Sequence, residues 1–147
     1  MSSTLNVMVT FYGWPDNDPP SNLIAYPKSD YPSCVHNQAG GNGTYEDPIT
    51  VAVITKDNGG NWEPGTRMYV PSLKKYFVVE DECAEGCKNA QIDVWMESNA
   101  DNDGEAVDQC ERAWTLDESE VEINPANNHE VDTTPFFDTI NNICNQR

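Results

Sequence analysis

Residues 66–97 read TRMYVPSLKKYFVVEDECAEGCKNAQIDVWME, and this stretch decides the fold. Two apolar runs, Met68-Tyr69-Val70 and Tyr76-Phe77-Val78-Val79, flank Pro71-Ser72-Leu73-Lys74-Lys75, which reads as a tight connection. The second run ends in Glu80-Asp81-Glu82, crosses a loop bracketed by Cys83 and Cys87, and enters a third run from Ile92 to Met96. Successive side chains of a strand point to opposite faces, so Asp93 and Trp95 share one face while Ile92, Val94 and Met96 share the other. A carboxylate beside an indole, opposite a core-facing row, suits a strand that handles a sugar. An ordinary half-exposed strand carries the same pattern.

Outward from this stretch the chain remains rich in strands. Thr4 to Tyr12 sets Leu5, Val7, Val9 and Phe11 against Asn6, Met8, Thr10 and Tyr12, a strand that stops at Gly13. Trp14-Pro15-Asp16-Asn17-Asp18-Pro19-Pro20 is loop, and its two carboxylates either cap turns or serve a site. Calcium is the metal such a run suggests, but the run lacks the remaining ligands of a calcium loop. Residues 21–48 are loop-rich, with His36 followed by Gly40-Gly41-Asn42-Gly43, where glycine permits a close approach to a ligand. No lysine and no helix signal follow, so this is not a phosphate loop. Asn42-Gly43-Thr44 is also a glycosylation sequon. Ile49 to Thr55 is a β-branched, buried strand, and Trp62 between two glycine turns is either a lid over core or an exposed platform.

From Asp103 the period changes. Asp103 caps a short helix with Ala106, Val107, Cys110 and Trp114 on one face. Alternation returns from Glu120 to Asn124, and Thr134-Pro135 with Phe136, Phe137, Ile140 and Ile143 predicts a terminal helix over 134–147. The expectation is mainly β: one domain over residues 1–147, with a barrel core at about 4–124 and one or two short helices. Closing the sheet removes its edges.

The 147 residues hold 8 basic and 25 acidic side chains, a net charge of −17, which opposes binding to nucleic acid or anionic membranes. Neutral or cationic glycans remain compatible, and a monomer is expected. Five cysteines suggest two disulfides, one spare thiol and an extracellular setting, with Cys83–Cys87 and Cys110–Cys144 the preferred pairs among those the sequence allows. A zinc site would need a second tight Cys or His pair, and none follows, so no metal or cofactor is expected. MSSTLNVMV lacks the charged start and long apolar run of a signal peptide, which makes a secreted chain a mature form.

Thr10-Phe11-Tyr12-Gly13, followed three positions later by Asp16, resembles the start of the expansin double-psi β-barrel domain. Gln91-Ile92-Asp93-Val94 looks like that family's His-Phe-Asp-Leu segment, with Gln91 in the histidine's place. Small fungal endoglucanases on this barrel have a similar pair of Asp residues. The region from Pro64 to Met96 is also similar to the barrel domain of bacterial lytic transglycosylases. The resemblance spans about residues 7–97 and implies a six-stranded double-psi barrel in a secreted, wall-active protein.

The chemistry it implies is glycoside cleavage, which needs an acid of raised pKa and, for inversion, a second carboxylate roughly 6.5–9.5 Å away. Asp93 is the expected acid, with Asp16 as base or Asp81 as the rival partner. In a lytic mechanism one acid/base suffices. Tyr12, Trp14, Trp62 and Trp95 are the expected sugar platforms, with His36 and the glycine loop around Gly41 lining the groove. The competing class is non-catalytic: an expansin-like wall-loosening or glycan-binding protein, a secreted effector, or a protease inhibitor.

Overall fold

Alternation along Ser3–Tyr12 produces the first strand, β1, in which Val7, Val9 and Phe11 are buried. The computed structural model describes residues 2–145. The run of β-branched residues becomes β2 (Ile49–Val53), and the deciding stretch becomes β3 (Arg67–Val70), β4 (Lys75–Glu82) and β5 (Gln91–Trp95). Helix α1 (Gly104–Trp114) and β6 (Leu116–Ile123) follow. Lys74, at φ 53°, reverses the chain between β3 and β4.

The six strands close into a barrel in the order β1-β5-β2-β4-β3-β6. β1 runs parallel to β5, and β2 runs parallel to β4, while the remaining neighbours are antiparallel. A simple meander has no parallel pairs, so the chain makes crossover connections between β1 and β5 and between β2 and β4. Alternate residues fill the barrel: Val7 and Val9 of β1, Val51 and Val53 of β2, Met68 and Val70 of β3, Phe77 and Val79 of β4, Ile92 and Val94 of β5.

The long segment before β2 is held by a buried charge. Glu80 is fully buried, and one of its carboxylate oxygens accepts from the backbone N–H groups of Val35 and His36, both at 2.7 Å. The other accepts from Thr50 Oγ1 and faces His36 Nδ1, both at 2.8 Å. Four hydrogen bonds, one of them shared with the His36 ring, make that burial tolerable.

Both preferred disulfides form. Cys83–Cys87 closes the loop between β4 and β5, Cys110–Cys144 ties α1 to the C-terminal segment, and Cys34 is a buried free thiol. The expected terminal helix is replaced by a hairpin of β7 (Phe137–Asp138) and β8 (Ile143–Cys144). Asp138 caps the intervening turn by accepting from the backbone of Ile140 and Asn141, and Asn142 adopts φ 56°. Phe136 and Phe137 are both buried although adjacent, whereas Ile140 is 88% exposed, a pattern that no helix face produces. Residues 146–147 of that expected helix lie outside the described residues. Among the described residues no helix is long and apolar enough to cross a membrane.

Candidate functional site: a carboxyl cluster on the barrel wall

The outward row of the sheet carries the chemistry. Strand register places Thr10 of β1 beside Asp93 of β5, Asp93 beside Ala52 of β2, and Ala52 beside Asp81 of β4. Alanine between the two aspartates leaves the centre of the row low. Gln91 Nε2 donates to Thr10 Oγ1 at 3.0 Å, and Thr10 Oγ1 donates to Asp93 Oδ1 at 2.9 Å, a relay that fixes the carboxyl's orientation.

Gly13 brings a second carboxylate to this row. A Cβ there would lie 2.6 Å from Ser98 Oγ and 3.0 Å from Val107 Cγ1, so only glycine lets the chain press against α1 at this point. The turn Trp14–Asp16 follows, and exposed Asp16 accepts the Gly13 N–H at 2.8 Å. Helix α1 then adds two more acids. Asp103 caps it by accepting from Glu105 N at 3.0 Å. Val107, Cys110 and Glu111 form its buried face. Glu111, only 5% exposed, and half-exposed Asp108 each bring a carboxylate oxygen into a group with Asp16, all within 4.8 Å of one another.

Burial pushes the Asp93 carboxyl up to about 6; the Thr10 hydrogen bond opposes the rise, and the charges of Asp16 and Asp81 add to it. Glu111 goes further, to about 10, through burial first and then the adjacent carboxylate of Asp16. Its Oε2 is buried and finds no hydrogen-bond partner among the described residues. Asp81 is also raised by burial, but it is fully engaged: it accepts from Tyr12 OH at 2.7 Å, Ala25 N at 3.0 Å and Glu82 N at 2.9 Å. These bonds make Asp81 the latch for the segment that leaves the first strand.

Asp93 and Asp81 thus flank Ala52 in register and the charges of Asp16 and Asp81 both act on Asp93, while the expected platforms largely do not open to solvent. Tyr12 is 8% exposed, tied to Asp81 and set edge-on to Trp95 with ring centroids 5.4 Å apart. Trp95 is 1% exposed. Trp62 is 7% exposed, and its indole N–H is satisfied by Asn89 O in the loop before β5, so it is a lid over core. Trp14 keeps part of its surface open. His36 is occupied between Glu80 and Asp47, its Nε2 lying 2.6 Å from Asp47 Oδ1. Gly41, at φ 111°, is needed because a Cβ would meet Pro48 O at 2.1 Å.

Gly41, Trp95, Glu97 and the C-terminal phenylalanines line a cavity of about 420 Å³. Trp95 reaches its wall, but none of Asp16, Asp81 and Asp93 lines it. Sequence reasoning missed Asp108 and Glu111. The available signal was an acid inside the apolar stripe Val107, Cys110, Trp114.

Fold and site together define a closed six-stranded β-barrel bearing a desolvated acid cluster on its outer wall. Residues 4–145 match the family described as the DDB_G0273701 N-terminal domain, and the chain belongs to that family. A relative from Dictyostelium discoideum, named Uncharacterized protein DDB_G0273701/DDB_G0273221, is 39% identical over 144 residues. That match covers 92% of this chain and 58% of the relative, so the chain spans less than two-thirds of that protein's length. No solved structure matches the chain.

Proposed function

We propose that this barrel is an extracellular, wall-directed protein that cleaves a β-1,4-linked polysaccharide, with Asp93 as general acid and Asp16 as its basic partner. The observation that carries the reading is the state of Asp93: a half-buried carboxyl, oriented by Thr10, that keeps its proton to about pH 6 beside a second, exposed carboxylate. A proton donor near its working pH and a base across from it are what glycoside cleavage requires. A cavity of about 420 Å³ that Trp95 helps to line has room for a sugar unit, and partly open Trp14 offers a stacking surface beside Asp16. Two disulfides favour an oxidising, extracellular setting. The net charge of −17 favours neutral or cationic glycans such as β-glucan or chitosan over anionic ones. The resemblance of Thr10-Phe11-Tyr12-Gly13 and Gln91-Ile92-Asp93-Val94 to expansin segments points the same way.

A second reading is binding or wall loosening without cleavage. It draws on Asp16, whose carboxylate already serves the Gly13 N–H and lies against Glu111 and Asp108, which weakens it as a base. Incubation with β-glucans, chitosan and peptidoglycan separates the two. Release of reducing sugar by native protein, falling by about 10²–10⁴-fold in Asp93→Asn, supports the acid role. Equal release by both proteins removes Asp93 from the mechanism. Retention of both proteins on the polymer with no release by either selects the binding reading.

A further inference from the structure

The run Asp16-Asn17-Asp18 carries too few ligands for a cation by itself, and helix α1 supplies what is missing. Asp108 and Glu111 sit one helical turn apart on the face turned toward the Trp14–Asp16 turn. Their oxygens and that of Asp16 lie within 4.8 Å of one another, a span that oxygens at about 2.4 Å from one Ca²⁺ can bridge. A second observation separates this cluster from ordinary surface acids. Glu111 is 5% exposed, and its buried Oε2, which has no hydrogen-bond partner among the described residues, belongs to a side chain aimed into the cluster. A buried oxygen of that kind costs free energy unless a hydrogen-bond donor or a cation faces it. Arg112 already pairs with Asp108 at the exposed rim of the cluster, but no hydrogen bond from it reaches the buried Glu111 Oε2.

We propose that Asp16, Asp108 and Glu111 form a binding site for a hard divalent cation of the Ca²⁺ type, clamping the turn after β1 onto helix α1. Carboxylate oxygens with water completing the shell suit Ca²⁺, whose coordination is flexible. The donor set contains neither sulfur nor imidazole, which disfavours softer metals. The clamp would fix Asp16 relative to Asp93 whatever the protein acts upon, so the inference does not depend on the glycan reading.

The test is calorimetric titration of the intact chain with CaCl₂ after EDTA treatment, paired with melting curves in EDTA, CaCl₂ and MgCl₂ at equal ionic strength. The variants are Asp108→Asn, Glu111→Gln and, as a control on exposed acid, Glu118→Gln. The expected result is one Ca²⁺ per native chain. Calcium at ten times its dissociation constant should raise the melting temperature by roughly 4 °C. Glu118→Gln should behave as native, while affinity falls at least tenfold in Asp108→Asn and Glu111→Gln. Asp108 is partly exposed, so its variant folds even if Glu111→Gln does not. No saturable binding overturns the proposal. So does an equal gain in melting temperature across all four proteins, which would mark diffuse screening of the −17 charge.

Discussion

Replacing Asp93 by Asn should make the protein more stable at neutral pH, and by an amount that shrinks on acidification. The carboxyl titrates from about 3.8 when unfolded to about 6 when folded, chiefly because it is buried. Between those values the native state binds the extra proton, so stability falls as pH rises across this window. The penalty is absent below the unfolded value and complete above the folded one. Each unit is worth about 1.4 kcal/mol, so keeping Asp93 ionised at pH 7.5 costs the fold about 3 kcal/mol. Asparagine preserves shape and still accepts the Thr10 hydroxyl through its own oxygen. Urea unfolding of both proteins in EDTA, from pH 3.5 to 8, should therefore show Asp93→Asn ahead by about 3 kcal/mol at pH 7.5 and level near pH 3.5. A variant equal to or weaker than native at pH 7.5 would refute the reasoning, as would an advantage that persists unchanged at low pH. An acid held at such cost is expected where function, rather than stability, sets the residue.

His36→Ala should destabilise by roughly 3–5 kcal/mol, because it leaves the buried Glu80 carboxylate without its cationic partner. Burial acts to lower the His36 pKa, but hydrogen bonds to Glu80 and Asp47 outweigh it and raise the net value above 6.5. The histidine's contribution is thus complete below its ordinary value and lost as pH rises through the raised one, so unfolding at pH 5 and pH 9 should show the gap narrowing at pH 9. Cys110→Ser with Cys144→Ser removes a link across a sequence separation of 34 and should cost about 4 kcal/mol in urea unfolding, by loop entropy.

Much of the barrel was legible because its strands alternate cleanly. Val7, Val9 and Phe11 in β1, and Ile92 and Val94 in β5, can form one buried row only as strands. Asp103 announced the start of α1 by its capping chemistry. The terminal helix misled because Phe136, Phe137, Ile140 and Ile143 fit helical spacing, while the turn chemistry of Asp138 and the left-handed Asn142 decided for a hairpin. Asp93 was legible as an outward carboxylate on its strand, and Asp16 by its place after Gly13. Glu111 was not, since its burial depends on α1 docking against a glycine ninety-eight positions earlier in the chain. Aromatic platforms failed for a related reason. Composition shows that Tyr12, Trp62 and Trp95 exist, but tertiary packing decides whether a ring faces water or the barrel.

The most direct measurement is a pH titration of the Asp93 side-chain carbon by NMR, in the native chain and in Asp16→Asn. The account predicts a midpoint at about 6 in the native chain and one that is lower but still raised in Asp16→Asn, because burial is the chief cause and the charge of Asp16 only adds to it. A native midpoint near 4, or a full return to the ordinary carboxylate value on removing Asp16 alone, would contradict it.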